Sequence, residues 1–382
     1  MSSFHKQGGT CEIITTESQL IKVAEILSRE SEIAVDLEMD SLHHYREKIC
    51  LVQISTRQQN WLIDPLALKS LAPLAEPLAN PEIVVVMHGS DYDIRSLYRD
   101  FEIEVTNLFD TMIAARLVGL TEFGLAALLY ARFAVVLDKK YQKADWSKRP
   151  LSREMCAYAS ADTINLLPLY DQLYLELEEK NRLKWLEEES RLVCQARVTE
   201  KEGPLFLHCK GAGRLKGHTL AILEELLQMR AKQSELLDRP PFKVLSADTL
   251  IEIAEIKPRS LYELTQIKGM TAGQVQRHGE SILSSVETGA KVVEYMLPSF
   301  PRTAKRDVSE LAKERLKNLK RWREYYSHEI GLDPGVLAPN WLLEAIADTA
   351  NGESRELDSI QGMREWQKQL FGQDMERILK TA

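Results

Sequence analysis

The chain has 382 residues, 44 % of them apolar, which is the size of two or three domains and the composition of an ordinary globular protein. Its net charge of −8 at pH 7 excludes a grip on nucleic acid exerted by the overall field, and leaves that work to local basic patches and bound cations. No run is apolar for long enough to span a membrane, the start Met1-Ser2-Ser3-Phe4-His5-Lys6 has no apolar signal-peptide core, and Cys11, Cys50, Cys156, Cys194 and Cys209 form no Cys-x-x-Cys pair, so reduced thiols in a cytoplasmic protein are expected.

Residues 17–29 read as an amphipathic helix through Leu20, Val23, Ala24, Ile26 and Leu27. The stretch Ile33-Ala34-Val35-Asp36-Leu37-Glu38 then reads as a β-strand. Alternation at period 2 sends Ile33, Val35 and Leu37 to one face, and Asp36 and Glu38 to the other. Two carboxylates side by side on an otherwise apolar strand repel each other and lose hydration, and a divalent cation such as Mg²⁺ relieves both costs. An edge strand with a solvated acidic face is the alternative. Residues 49–55 form a second strand, and Trp61-Leu62-Ile63 a third, stopped by Asp64-Pro65. Their closeness predicts an antiparallel meander. His43-His44, between the first two strands, fits a polar surface loop better than a metal pair. A helix is expected over 66–79.

Ile83-Val84-Val85-Val86-Met87 is continuously apolar, as in a strand buried on both faces. It runs into His88-Gly89-Ser90-Asp91-Tyr92-Asp93, and strand ends that open helices gather functional groups in α/β folds. Asp91 suits the helix N-terminus. Asp93, one turn in, is the candidate for facing the Asp36–Glu38 strand. His88 can line the cleft without a chemical role. Helices are predicted over 91–100, 110–118, 122–131 and 151–180. In the last, Tyr158 and Asp162 stand at i and i+4 on one face, and the small residues between them let the helix lie close to a sheet. A carboxylate and a phenol so placed suit a metal ligand and a group touching a water, or else an ordinary packed pair. Strands followed by alternating helices predict an α/β domain over residues 1–204, with a mixed sheet flanked by helices.

Residues 181–200 continue as a charged helix, broken at Gly203-Pro204. The stretch 205–217 reads as a linker. Beyond it the chain is almost wholly helical, divided by Leu297-Pro298-Ser299-Phe300-Pro301 into two repeats, 212–296 and 304–382. Leu264, Ile267, Gly269, Met270, Gln274 and Gly279 recur 93 positions on as Leu357, Ile360, Gly362, Met363, Gln367 and Gly372. Each repeat has a long helix (218–236 or 306–327), and an Ile-x-Gly-Met turn opens a later one. Charge is uneven: residues 1–204 carry 23 Lys and Arg against 32 Asp and Glu, and residues 205–382 carry 26 against 25. Basic candidates for phosphate contact are Lys313, Lys317, Lys320 and Arg321 on one helix face, and Arg230, Lys232 and Arg239.

In order, Asp-x-Glu on a strand, His-x-x-x-x-Asp at a strand–helix junction and Tyr-x-x-x-Asp on a later helix resemble the DEDD superfamily of 3′→5′ exonucleases, in its tyrosine subgroup, with ribonuclease D the nearest family. The segment from Leu137 to Leu151 is similar to that family's link between its second and third motifs, and the repeats resemble HRDC domains. The resemblance implies an RNase H-like exonuclease domain followed by two all-α HRDC-like domains. It implies two divalent metal ions, Mg²⁺ or Mn²⁺, held by Asp36, Glu38, Asp93 and Asp162, and release of nucleoside 5′-monophosphates. Tyr158 would orient or deprotonate the attacking water. An unperturbed tyrosine pKa of about 10 suits it to positioning rather than to unaided deprotonation.

The expected partner is RNA, a tRNA precursor or another structured RNA with a 3′ tail, bound by a monomer without a membrane. A DNA exonuclease and a catalytically silent nucleic-acid-binding protein are the alternatives. Intact carboxylates count against silence. No Gly-x-x-x-x-Gly-Lys-Ser/Thr loop or Gly-x-Ser-x-Gly elbow is present, which argues against a helicase or a hydrolase of the latter kind.

Overall fold

The computed structural model describes residues 12–199, 202–301, 309–349 and 357–380. Cys11, Met1–Lys6 and the expected helix start at 306–308 lie outside the described residues. A six-stranded sheet organises the first part, in the order β1-β4-β3-β2-β5-β6. The strands are β1 (Glu12–Ile14), β2 (Glu32–Met39), β3 (Ile49–Ser55), β4 (Asn60–Ile63), β5 (Val84–Met87) and β6 (Leu108–Asp110). The meander β2–β3–β4 is antiparallel, as expected, whereas β2–β5, β5–β6 and β1–β4 are parallel. The acidic strand β2 is therefore central rather than an edge. β1 and β6 have three residues each, too few for alternation to reveal them.

Among the described residues eight α-helices accompany the sheet: α1 (Glu17–Leu27), α2 (Ala75–Ala79), α3 (Asp91–Phe101), α4 (Thr111–Val118), α5 (Leu125–Phe133), α6 (Arg153–Ile164), α7 (Leu166–Glu179) and α8 (Leu183–Cys194). The apolar cores lie on both faces. Ile33, Val35 and Leu37 join Leu20, Leu27, Ile94 and Leu97 in one cluster, and Ala34 and Val86 join Leu117, Leu129, Leu169 and Leu173 in another. This is the expected mixed sheet flanked by helices.

Three expected helices differ. Residues 66–71 are not helical, because the Asp64 carboxylate accepts the Leu66 N–H and folds a turn, leaving a short 3₁₀ stretch and α2. The span 151–180 is two helices, broken at Asn165. The charged helix starts anew at Leu183, after Asn181 in the left-handed region, and ends at Cys194.

Contacts group the chain into two units, one of residues 1–39, 49–198 and 306–382, the other of 40–48 and 199–305. The second unit holds the first helical repeat, α9 (Gly217–Leu236), α10 (Pro241–Val244), α11 (Ala247–Ile256), α12 (Leu261–Thr265) and α13 (Ala272–Ala290). The expected linker is not free chain: Phe206, Ala212 and Leu215 are buried in this repeat's core. In the same unit His44 meets Asp238 at 2.7 Å and Arg46 meets Glu235 at 2.8 Å.

The second repeat, α14 (Glu310–Ile330), α15 (Pro334–Leu337), α16 (Asn340–Ala347) and α17 (Glu365–Lys380), belongs to the first unit. The repetition is structural. α10 and α15 begin 93 residues apart, as do α11 and α16, and Gly269 and Gly362 share φ +87°. Arg230 donates to the Leu245 carbonyl at 3.0 Å, and its counterpart Arg323 donates to the Ala338 carbonyl at 2.9 Å. Arg230, read above as a phosphate candidate, is thus a partly buried structural residue. Trp185 of α8 stacks on Trp366 of α17 with centroids 4.5 Å apart, and the Glu188 carboxylate accepts the N–H groups of Glu365 and Trp366. A Cβ at Gly119 would collide with the Gly331 carbonyl, so this repeat approaches the end of α4 at backbone distance.

Candidate active site

Asp36 and Glu38 leave the central strand on the face that α6 covers. Asp36 is paired in register with Gln53 and Glu38 with Leu51, and a register shift follows between Glu38 and Met39. α6 is N-capped by Ser152, whose hydroxyl accepts the Met155 N–H. Its buried Ala159 and Ser160 allow close approach to the sheet, and the Ser55 hydroxyl donates to Thr163 Oγ1 at 2.7 Å. That seating brings Asp162 to the acidic strand. Carboxylate oxygens of Asp36, Glu38 and Asp162 all lie within 4.8 Å of one another.

Asp93 enters from the third position of α3. Gly89, with φ +67°, turns the chain between β5 and that helix, and this conformation suits glycine. Asp110 holds the turn: its carboxylate accepts from the N–H groups of Gly89 and Ser90 and from the Ser90 hydroxyl, and it caps α4 through Met112 and Ile113. Sequence reading passed over Asp110. Its one local signal is an Asp directly before a helix. Asp91 points elsewhere and pairs with Arg95 in an i,i+4 ion pair.

The electrostatics follow from this crowding. Burial, followed by the charges of Asp93, Asp162 and Glu38, holds the Asp36 carboxyl well above the usual range. Glu38 is pushed up to about 9 by burial and then by Asp162 and Asp93. Asp93 rises to about 7 through burial and Asp110, and Asp162 to about 6 through burial. The Asp93 charge acts on Asp36 and Glu38, although Asp93 lies outside the tightest cluster. Four carboxyl groups that resist ionisation together, three with oxygens in reach of one point, form a donor set that fits a hard divalent cation.

Tyr158, one turn before Asp162, is half-buried. Its ring meets the edge of Tyr141 at 5.9 Å and lies beside Trp146 at 6.0 Å. Burial, then the charges of Asp162, Glu38 and Asp36, raise its hydroxyl pKa above the ordinary value, so it stays a proton donor at neutral pH. Trp146 is buried, and Arg149 ties this segment down with bonds of 2.6 Å to both Asp64 oxygens and of 2.7 Å to the Cys50 carbonyl. Beside Tyr158 and Asp162 a cavity of about 390 Å³ is lined by Val136, Leu137, Lys140, Tyr141, Ala157 and Ala161. His88 bonds Thr111 at 2.9 Å, and burial lowers its pKa, which keeps it neutral beside the site. His43 and His44 belong to the other unit.

Residues 11–178 match the family described as 3′-5′ exonuclease, and residues 219–286 and 312–379 each match the HRDC domain. Exosome complex component 10 of Mus musculus is 36 % identical over 259 residues, 65 % of this chain and 29 % of that protein. The chain thus spans under a third of the length of that relative. Ribonuclease D of Serratia proteamaculans is 30 % identical over 289 residues, 75 % of this chain and 77 % of that protein. The crystal structure of Escherichia coli RNase D, described as an exoribonuclease involved in structured RNA processing, superposes with a TM-score of 0.73 at 26 % identity, covering 97 % of this chain and 99 % of the other.

Proposed function

The chain belongs to the ribonuclease D family, and on that premise we propose that it is a metal-dependent 3′→5′ exoribonuclease that hydrolyses terminal phosphodiesters and releases nucleoside 5′-monophosphates. The observation that carries the reading is the meeting of Asp36, Glu38 and Asp162 within 4.8 Å, with the Asp93 charge acting on Asp36 and Glu38. These four would hold two divalent cations, Mg²⁺ or Mn²⁺. Such a pair of cations supplies charge stabilisation to the attacking and leaving oxygens of an in-line displacement.

The chain's own residues do the rest. The carboxylates stand on three separate elements, β2, α3 and α6, each fixed by packing, so their spacing does not depend on a loop. Tyr158 keeps its proton and orients the attacking water by a hydrogen bond. Tyr141 and Trp146 fix its ring. The cavity beside Tyr158 admits the 3′-terminal end of a strand.

HRDC domains are nucleic-acid-binding modules, so the helical repeats support the reading of a polynucleotide substrate. We assign RNA with a 3′ tail, tRNA precursors among them, a monomeric state and a cytoplasmic location as parts of the same proposal. Folding modules at 1–204, 212–296 and 304–382 complete it. Among the described residues no helix is long and apolar enough to cross a membrane. The test is incubation of the purified chain with matched 3′-labelled RNA and DNA strands, with Mg²⁺ and with EDTA. Stepwise loss of RNA 3′ nucleotides that EDTA abolishes is expected. Full activity in EDTA overturns the metal assignment, and equal degradation of DNA overturns the preference for RNA.

A further inference from the structure

Gln53, in the middle of β3, is fully buried, and neither its Oε1 nor its Nε2 has a hydrogen-bond partner. Most buried side-chain amides are paired, and a buried polar group without a partner is destabilising. Leucine or methionine would fill a similar volume without that cost. The sheet register fixes where the amide lies. Gln53 stands directly opposite Asp36 in β2 and opposite Leu62 in β4, so its side chain shares the Asp36 face. Along this face of β3, Leu51 opposes Glu38, Gln53 opposes Asp36 and Ser55 opposes Ala34. Leu51 clusters with Ala159 of α6, and Ser55 bonds Thr163. Of the three, Gln53 alone is polar and unpaired.

We propose that Gln53 is a positioning residue for the Asp36 carboxylate: its Nε2, which has no partner in the structure, would turn to donate to an Asp36 carboxylate oxygen when a divalent cation is bound. The proposal rests on the metal-dependent reading above. Cross-strand neighbours have Cβ atoms about 4.5–5.5 Å apart, within reach of a glutamine side chain. An amide also suits the position chemically. Lysine would set a fixed positive charge against the metal, and glutamate would add a fifth carboxylate to a cluster already short of hydration. A neutral N–H donor fixes the carboxylate rotamer and leaves its charge for the cation. Outer partners of this kind are general for metal-ligating carboxylates, and losing one costs about 10–100-fold in metal affinity or activity.

The test uses the full chain and two variants that conserve volume but lack the amide, Gln53→Met and Gln53→Leu. Mn²⁺ is titrated into metal-free protein and followed by electron paramagnetic resonance, with thermal unfolding measured alongside. Removing the amide should raise the Mn²⁺ Kd about 10–100-fold, leave the metal-free Tm unchanged or higher, and lower kcat on 3′-labelled RNA without changing KM. In an Asp36→Asn background the same substitution should change Mn²⁺ affinity little further, because Gln53 acts through Asp36. A folded variant with wild-type Mn²⁺ affinity overturns the proposal. Loss of folding in both variants overturns it too, since Gln53 would then serve the core. If the wild-type chain itself binds no Mn²⁺, the metal-dependent reading falls first and takes this one with it.

Discussion

On the metal-dependent reading proposed above, each acid in the cleft has two opposed roles, ligand and liability. Glu38 titrates at about 9 against an ordinary value of 4.5, Asp93 at about 7 and Asp162 at about 6 against 3.8. An acid whose folded pKa is raised contributes stability that is present below its unfolded pKa and lost as pH rises through the folded one. Metal-free protein should therefore lose stability between about pH 4 and pH 9 through these groups, and Mg²⁺ should restore it. Asp36→Asn or Asp162→Asn should cut kcat by orders of magnitude. Each should also raise the metal-free Tm at pH 8 by about 2–4 °C, the shift expected of about 1 kcal/mol in a unit of this size. Thermal scans in EDTA across pH check both signs, and a Tm lowered by Asp36→Asn would mean that the cluster is internally satisfied. Tyr158→Phe should lower the rate about 10²–10⁴-fold with little change in RNA affinity. Wild-type turnover would leave Tyr158 a packing residue. Asp36, Glu38 and Asp162, named from sequence, come together because their motifs encode their elements, a strand alternation and an i,i+4 pair with Tyr158, and Asp93 follows from a helix start. Asp110 and Gln53 were not legible. Their importance lies in partners 20 residues or a strand away, which no local spacing reveals.

At the scale of elements, α6 depends on what holds it against the sheet. The segment before it carries Tyr141 and Trp146, both against Tyr158, and Arg149 anchors that segment to Asp64 at the end of β4. Arg149→Met leaves the buried Asp64 carboxylate without its partner. A cost of about 3–5 kcal/mol is typical of that change, at the lower end here because Arg149 keeps some solvent access. We predict a destabilised protein with reduced kcat, since the Tyr158 ring loses its support. Urea unfolding and single-turnover cleavage measure the two effects, and unchanged values of both would show that Trp146 packing suffices. The link segment was recognisable in sequence, but its Arg149–Asp64 tie spans 85 positions and was not. Element boundaries failed for similar reasons. Nothing in the apolar pattern of 151–180 marks the break at Asn165, and the glycines of 205–217 suggested a linker because Phe206 and Leu215 find their core only in three dimensions.

For the whole molecule, the grouping of residues 306–382 with the exonuclease portion changes what truncation tests. Cutting near Gly203 would strip Trp366 from Trp185 and free Glu188 from the start of α17, so lost RNA affinity would be confounded with lost stability. Surface charge is the cleaner probe. α14 presents Lys313, Lys317, Lys320 and Arg321, all exposed, and Lys313 pairs with Glu310 at 2.6 Å. The acidic first portion cannot hold a long polyanion by its own field, so on the proposed reading exposed cations of this kind are the candidates for the grip. Replacing Lys317, Lys320 and Arg321 by glutamine leaves the buried side of the helix, Ala312, Arg315 and Leu319, untouched. Each phosphate contact removed should flatten the log Kd against log salt slope by about 0.7–0.9, so a triple variant that loses three contacts should lose about 2.1–2.7 units on a hairpin with a 3′ tail. Cleavage of a short single strand should stay at the wild-type rate, because none of the three touches the acidic cluster. Equal slopes for the variant and the wild-type chain would show that α14 faces solvent only, and would move the search to Lys232 and Arg239 of the first repeat.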